Sequence, residues 1–351
     1  MKNLRLLLLP FSWLYGCVMA IRNFLFDNGI LKSASYPVPV ICIGNMNTGG
    51  TGKTPHTEML LHLLQDKKTV VVSRGYGRKS KGVIEVTNNA NASYVGDEPL
   101  QMKLKFPDTV FVVAEKRTEG INYALSKYPD IEVVLLDDAL QHRSVKAGLT
   151  ILLTQFDDLY TDDFVLPAGN LREFRSGANR ADIIIVTKCP AQMSADEKKK
   201  ILTKISSHKN VFFSTLQYQP LISLEEQQKI EISSLKDYEI LLISGIASAS
   251  KLQDFLSSQS KNFLSLEFGD HHAYCEKDFS LIRSKFNTFA SDKKIIVVTE
   301  KDAVKLKNEK FEPHLKTSPF YCLPVAVNFI EDKEKFNLLV KEYVGKNKSH
   351  N

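Results

Sequence analysis

Apolar residues in this chain gather in short unbroken runs rather than in strict alternation. Val38 to Ile43, Thr69 to Ser73, Val110 to Ala114, Val133 to Leu136, Thr150 to Leu153 and Ile183 to Thr187 are each followed by a stretch long enough for a helix. Strands that are apolar on both faces belong to a parallel sheet covered on both sides, so the pattern predicts a doubly wound α/β unit. A second βα series comes later, with strands at Glu239 to Ile246, Phe263 to Phe268 and Lys294 to Thr299. Between the two series, Ala195 to Lys204 reads as a solvated helix and Val211 to Gln219 as an extended strand. Leu224 to Lys236, polar and without a period, reads as a linker or domain junction. Phe320 to Phe329 is again extended and leads to a polar tail.

The first residues break this pattern. Leu6 to Ile21 carries no formal charge and is flanked by Lys2 and Arg5 before it and Arg22 after it. Sixteen residues are short for a membrane span, and Pro10 would kink a spanning helix. A signal peptide, a single span and a segment lying in the membrane interface are the competing readings. The interfacial one is preferred, with Phe11, Trp13, Tyr15, Phe24 and Phe26 as aromatic anchors and Arg5 and Arg22 meeting acidic lipid. A helix buried on the protein's own core is the remaining alternative.

Composition adds bounds more than identity. With 351 residues, 43% apolar and 25% charged, the chain has a core to build and is not a disordered segment. A net charge of +6 suits an anionic partner without selecting one. The five cysteines are scattered, with neither CxxC spacing nor histidines at zinc-ligand distances, which excludes a disulfide framework or a zinc module.

Candidate chemistry begins where the strand Val38 to Ile43 runs into Gly44-Asn45-Met46-Asn47-Thr48-Gly49-Gly50-Thr51-Gly52-Lys53-Thr54-Pro55 and a helical pattern starts. Strand, Gly-rich turn and helix make a phosphate loop. Asn47 to Gly52 turn their N–H groups on phosphate oxygens, Lys53 reaches the β and γ phosphates, and Thr54 is placed to ligate Mg²⁺. The strict pattern has Gly where this chain has Asn47, a departure that the left-handed tolerance of Asn would absorb. Leu135-Leu136-Asp137-Asp138 closes another apolar strand with two carboxylates, the expected position of the second Mg²⁺-organising group. Thr187-Lys188-Cys189-Pro190 is similar to the guanine-reading Asn-Lys-x-Asp, but Pro190 replaces the reading Asp, which argues for ATP over GTP. Gly96-Asp97-Glu98-Pro99 and Gly269-Asp270-His271-His272 are polar loop clusters, either of which can supply a proton acceptor or serve only as turns and caps. Arg74, Arg78, Arg117, Arg143, Arg172 and Arg175 follow strands or lie in loops and are candidates for an anionic substrate.

Taken in order, the apolar N-terminal helix, the phosphate loop, Ser73-Arg74-Gly75-Tyr76-Gly77-Arg78, Gly96-Asp97-Glu98-Pro99, Asp137-Asp138-Ala139-Leu140-Gln141-His142-Arg143, Pro167-Ala168-Gly169-Asn170-Leu171-Arg172-Glu173, Asp270-His271-His272 and Thr299-Glu300-Lys301-Asp302-Ala303 resemble the tetraacyldisaccharide 4'-kinase family over roughly residues 1 to 305. Ala139-Leu140 stand where that family usually has Gly-Phe. The resemblance implies ATP-dependent phosphorylation of the 4'-hydroxyl of an acylated disaccharide 1-phosphate in lipid A biosynthesis, at the cytoplasmic face of the bacterial inner membrane. It implies a P-loop NTPase-type α/β/α sandwich with a second, smaller α/β/α domain and a membrane-associated N-terminal helix. The expected divisions are 1–30 for the helix, 31–217 for the kinase domain and 218–351 for the smaller domain, with a two-stranded linker near 211–219 and 320–329. Asp97 would be the base, assisted by His271 or its neighbour His272. Lys53 and Arg172 would act on the transferring phosphoryl group, Asp137, Asp138 and Thr54 would organise Mg²⁺, and Glu98, Arg117, Gln141 and Glu173 would position substrate. We expect a monomer that binds no nucleic acid. The reading from another class is a membrane-associated P-loop ATPase acting as a switch or targeting factor.

Overall fold

The structure, a computed structural model, describes residues 5–205, 210–226, 228–246 and 249–346. Two sheets account for the β-rich runs. The first has nine strands: β1 (Val40–Asn45), β2 (Thr69–Ser73), β3 (Ile84–Glu85), β4 (Val110–Val113), β5 (Val133–Asp137), β6 (Leu149–Gln155), β7 (Ile183–Thr187), β8 (Asn210–Tyr218) and β15 (Val325–Phe329). Their order is β15-β8-β7-β6-β1-β5-β2-β4-β3. The interior pairs are parallel, and antiparallel strands β15 and β3 close the edges. The second sheet, β10-β9-β14-β13-β11-β12, comprises β9 (Leu221–Ser223), β10 (Lys229–Ile230), β11 (Glu239–Ser244), β12 (Asn262–Glu267), β13 (Lys294–Thr299) and β14 (Phe320–Leu323).

Period-two side-chain direction puts alternate residues of one strand into different cores. Ile41 and Ile43 pack with Leu135 and Leu153 on one face, while Val40 and Cys42 pack with Val134 and Leu136 on the other. Both faces are covered, which is why the strands are apolar throughout. In the second sheet Leu241 and Ile243 face one core and Ile240 and Leu242 the other.

Five helices frame the functional residues: α1 (Leu9–Asp27), α2 (Lys53–Leu63), α3 (Asp97–Lys105), α4 (Glu300–Leu306) and α5 (Lys333–Lys346). Three expectations shift. β1 begins at Val40 and runs on through Gly44 and Asn45, because Asn45 still pairs with Leu153 of β6. The segment Leu224 to Lys236 is no linker: with β9 before it, it carries β10 and a 3₁₀ helix at Ile232–Asp237 whose Leu235 is fully buried, the edge of the second sheet. Nor does 218–351 stay with one sheet. Phe329 of β15 and Phe336, Val340 and Val344 of α5 pack into the first core beside Ile41 and Leu149. The chain leaves the first sheet after β8 at Gln219-Pro220 and re-enters at Pro324, where Gln219 N–H donates to the Pro324 carbonyl at 2.9 Å.

The apolar N-terminal helix is neither buried nor detached. Ser12 and Gly16 are its only buried residues, whereas Phe11, Trp13, Leu14, Val18, Ile21 and Phe24 are exposed. Its narrow inner face is pinned. The Ser12 hydroxyl accepts from Ala168 N–H at 2.8 Å. Gly16 lets the helix lie on the Phe174 ring, which a Cβ would meet at 2.3 Å. Asp27 pairs with Arg143 at 2.5 Å.

Candidate active site

Parallel strands end together, so the loops that follow them share one edge of the sheet. Ile43 of β1 is in register with Asp137 of β5, which brings the acidic strand end beside the phosphate loop. The loop has the open form a phosphate needs. Gly49 (φ 138°) and Gly52 (φ 86°) are left-handed, and a Cβ on Gly49 or Gly50 would meet nothing within 4 Å. Gly52 caps α2, whose first turn carries Lys53 and Thr54 at the positive end of the helix dipole. Lys53 Nζ lies 3.4 Å from Asn45 Oδ1 and 3.7 Å from Asp138.

Asn47 does not take the left-handed backbone expected of it. It is buried, bridges to Leu171, and donates from Nδ2 to Asp158 at 3.4 Å. Thr48 N–H donates to the Asn170 carbonyl and Arg172 N–H to that of Met46, both at 2.8 Å. The Asn170–Arg172 segment thus forms one wall of the loop.

The two carboxylates at the end of β5 differ sharply. Burial, reinforced by Glu98 and Asp138, pushes Asp137 up to about 7, although Thr57 Oγ1 donates to it at 3.1 Å. Burial also raises Asp138, but Lys53 and Arg172 outweigh it and hold this group below the usual carboxylate range. Arg172 Nη1 donates to Asp138 Oδ1 at 3.0 Å, and Asp138 sits at φ 47°. Asp138 is therefore committed to cationic side chains, paired with Lys53 and Arg172, while Asp137 feels Lys53 and Arg117 only at longer range. Carboxylate and hydroxyl oxygens are the donors that Mg²⁺ prefers, so the residues present fit that ion, with Asp137 and Thr54 better placed to hold it than Asp138.

Three residues expected to position substrate make hydrogen bonds within the protein. Arg117 is fully buried: it donates to the Ala114 carbonyl at 2.8 Å and reaches the carbonyls of Asp137 and Asp138 at 3.5 Å. In this structure it braces the acidic strand end. Glu173, 1% exposed, accepts from Asn23 of α1 at 2.7 Å, Gln141 at 3.1 Å and Arg180 at 2.7 Å. Gln141 in turn donates to the Asn45 carbonyl at 3.2 Å and accepts from Arg172 at 3.3 Å. Asn23, Glu173 and Gln141 thereby join α1 to the phosphate loop, and the sequence offered no sign of Asn23. Of the six arginines, Arg143 anchors α1 and Arg175 donates to the Asp163 carbonyl.

Asp97 opens α3 and is 7% exposed. Its Oδ2 is 3.0 Å from His271 Nδ1, a contact spanning 174 residues and joining the two sheets' loops. The neighbouring His272 points elsewhere, with Nε2 2.9 Å from Asp278 and its ring stacked on Phe268. His271 stands at φ 58° with the Tyr76 ring against it, centroids 5.2 Å apart. Glu98 lies 3.7 Å from Lys301, a residue of the Thr299 to Ala303 motif to which the sequence assigns no part.

Two further groups escaped sequence reading. At the end of β7, Thr187 Oγ1 donates to the Thr51 carbonyl at 2.9 Å and Lys188 Nζ to that of Gly50 at 2.5 Å, a clamp on the outer lip of the phosphate loop. At the far end of α3, Lys105 pairs with Glu58 of α2 at 2.5 Å and with Glu300 of α4 at 2.6 Å. Burial and the nearby Glu300 push Glu58 up to about 7 against the pull of Lys105.

Comparison with known proteins agrees with this geometry. The family described as tetraacyldisaccharide-1-P 4'-kinase matches residues 4–344. A tetraacyldisaccharide 4'-kinase of Flavobacterium johnsoniae is 45% identical over 350 residues, 99% of each chain. One of Bacteroides thetaiotaomicron is 43% identical over 97% of this chain and 93% of its own. The crystal structure of LpxK from Aquifex aeolicus in complex with ATP superposes with a TM-score of 0.77 at 31% identity, covering 97% of this chain and 99% of that one. With a phosphate loop on the first of two α/β sheets and a match that runs almost from end to end, the chain belongs to the tetraacyldisaccharide-1-P 4'-kinase family.

Proposed function

We propose that this protein transfers the γ-phosphoryl group of ATP to the 4'-hydroxyl of a tetraacyldisaccharide 1-phosphate, giving the 1,4'-bisphosphate. The observation that carries the reading is the 3.0 Å contact between Asp97 and His271, beside a phosphate loop whose acidic neighbour Asp137 feels the charge of Glu98. Asp97 takes the hydroxyl proton as the sugar oxygen bonds to the γ-phosphorus, and ADP leaves with the electron pair of the broken bond. Lys53 and Arg172 carry positive charge where the transferring group gains negative charge, and the loop N–H groups hold the β phosphate; positioning and charge do most of the work in such transfers. Asp137 and Thr54 are the residues to hold Mg²⁺, with Asp138 shared with Lys53 and Arg172; the ion would neutralise phosphate charge when bound.

α1 leaves Phe11, Trp13, Leu14, Val18, Ile21 and Phe24 exposed, apolar surface of the kind that marks membrane or protein contact, which supports a membrane-surface position on the side of the bilayer where ATP is found. The aromatic and aliphatic side chains there are suited to the interface between headgroups and acyl chains. In this reading the chain divides into α1, a phosphate-loop unit and a smaller unit built on the second sheet, with β8 and β15 as the two connecting strands.

The test supplies ATP, Mg²⁺ and the disaccharide monophosphate in detergent or vesicles and looks for the bisphosphate. Folded protein that makes none, yet hydrolyses ATP without acceptor, would return the chain to the switch-ATPase reading.

A further inference from the structure

The ammonium of Lys301 occupies a particular place. It projects from the first turn of α4 and is 15% exposed. Its Nζ lies 3.2 Å from His271 Nε2 and 3.2 Å from Asp270 Oδ1, with Asp97 Oδ2 at 3.9 Å and Glu98 Oε1 at 3.7 Å. Burial favours the neutral amine, but Asp97, Glu98 and Asp270 outweigh it and hold Lys301 above its ordinary pKa. Lys301 is therefore an ammonium, which has donors and no acceptor.

This settles the imidazole it touches. A ring nitrogen that receives a hydrogen bond must present its lone pair, so Nε2 carries no proton. Nδ1 then carries it and donates to Asp97 Oδ2, the only arrangement in which both short contacts are hydrogen bonds. Asp270 Oδ2, at 3.8 Å from Nε2, is beyond hydrogen-bonding reach. An Nε2–H form, neutral or charged, would set N–H against N–H beside a like charge.

We infer that Lys301 is a positioning residue for the phosphoryl transfer: it locks His271 as the neutral Nδ1–H tautomer, so that His271 orients Asp97 by donating to it. The inference rests on the reading of Asp97 as the base. In the locked state Asp97 Oδ2 is occupied by the Nδ1–H, and Oδ1 remains to take the hydroxyl proton. That proton then stays on Asp97, because His271 Nδ1 is already protonated and Nε2 faces a cation.

Two measurements test this. In ¹⁵N-histidine-labelled protein, with the His271 signals assigned by their loss in His271→Ala, long-range ¹H–¹⁵N correlation should show a protonated Nδ1 and an unprotonated Nε2. Lys301→Met should convert this into a tautomer mixture, and an Nε2–H form in the unaltered protein overturns the inference. In the kinase assay, Lys301→Met should lower kcat at least about tenfold while leaving KM for ATP within about twofold, and Lys301→Arg, which keeps a donor and a cation, should recover most of the loss. In a His271→Ala background Lys301→Met should cost less than about threefold, because the two residues act as one unit. Additive losses, or full activity in Lys301→Met, overturn it. Should Asp97→Asn and His271→Ala both retain full activity, the reading of the base fails, while the nitrogen spectra still report whether Lys301 sets the tautomer.

Discussion

Around the phosphate loop, nearly everything that matters lies within one strand, one turn and one helix, or one strand away: Asn45, Gly49, Gly52, Lys53 and the Asp137 that pairs in register with Ile43. Around Asp97 the partners come from remote places. His271 follows β12 and Lys301 lies in the first turn of α4, both in the second sheet's unit, and Glu58 and Glu300 hold the opposite end of α3 through Lys105. A phosphate loop is a backbone device, and backbone geometry is encoded locally by glycine and by a helix start. A base is a side-chain device whose protonation and aim depend on whatever packs against it. Consecutive residues Glu300 and Lys301 reach opposite ends of α3, so a single helical turn of the second unit governs how the base presents itself to the first.

This contrast can be broken by substitution. Lys53→Met removes the donor-side cation and should lower kcat/KM by about 1,000-fold, measured as bisphosphate formed at limiting ATP. Asp97→Asn should lower turnover by about 100-fold or more with ATP affinity, read by nucleotide fluorescence titration, kept within about twofold. An equal loss of ATP affinity in both variants would mean that the two halves are not separable. Replacing Phe11, Trp13, Leu14 and Phe24 by serine strips apolar surface from α1 and should weaken vesicle binding roughly tenfold or more in a flotation assay. Turnover on a soluble, short-chain acceptor should persist, since none of the four is among the residues that link α1 to Glu173.

The smallest effect concerns the link between α2 and α3. Glu58 has its folded pKa raised to about 7 from 4.5, chiefly by burial. The folded state therefore binds this proton more tightly than the unfolded chain, and the contribution is fully present below about pH 4.5 and lost as pH rises through 7. Glu58→Gln should flatten the fall in stability between pH 5 and 7 by about 1–2 kcal/mol, measured by denaturant titration at each pH. An unchanged slope would show that Lys105 keeps Glu58 ionised throughout.

The sequence was legible where chemistry is contiguous. Strand runs, the glycine turn and the acidic end of β5 declared themselves because each is a local pattern with a local cause. Asn47 was misread for the opposite reason: nothing in the turn shows that Leu171 and Asp158 will pack against it and fix an ordinary backbone. That Arg117 turns inward was not legible, because burial leaves no mark on an isolated arginine after a strand. Segments such as β9 and β10, three and two residues long, are too short to carry a period, so the edge of the second sheet passed for a linker. Lys301 was visible within its motif, yet its part emerges only once His271 is seen to stand between it and Asp97.

The hydrogen bond between Gln219 and Pro324 gives the chain an insertional topology. Everything from Leu221 to Leu323 leaves and returns through adjacent points on one edge, and the sequence that resumes, β15 and α5, completes the core begun at β1. The nucleotide-binding unit is thus assembled from both ends of the chain and cannot finish folding before its C-terminus is made. A ribosome-bound intermediate truncated before Pro324 would already contain the whole phosphate loop yet lack the edge strand and the helix that close its sheet. Nucleotide binding during synthesis would therefore lag behind completion of the loop at Thr54 by the 270 residues to Pro324, about 14–54 s at ordinary elongation rates of about 5–20 residues per second.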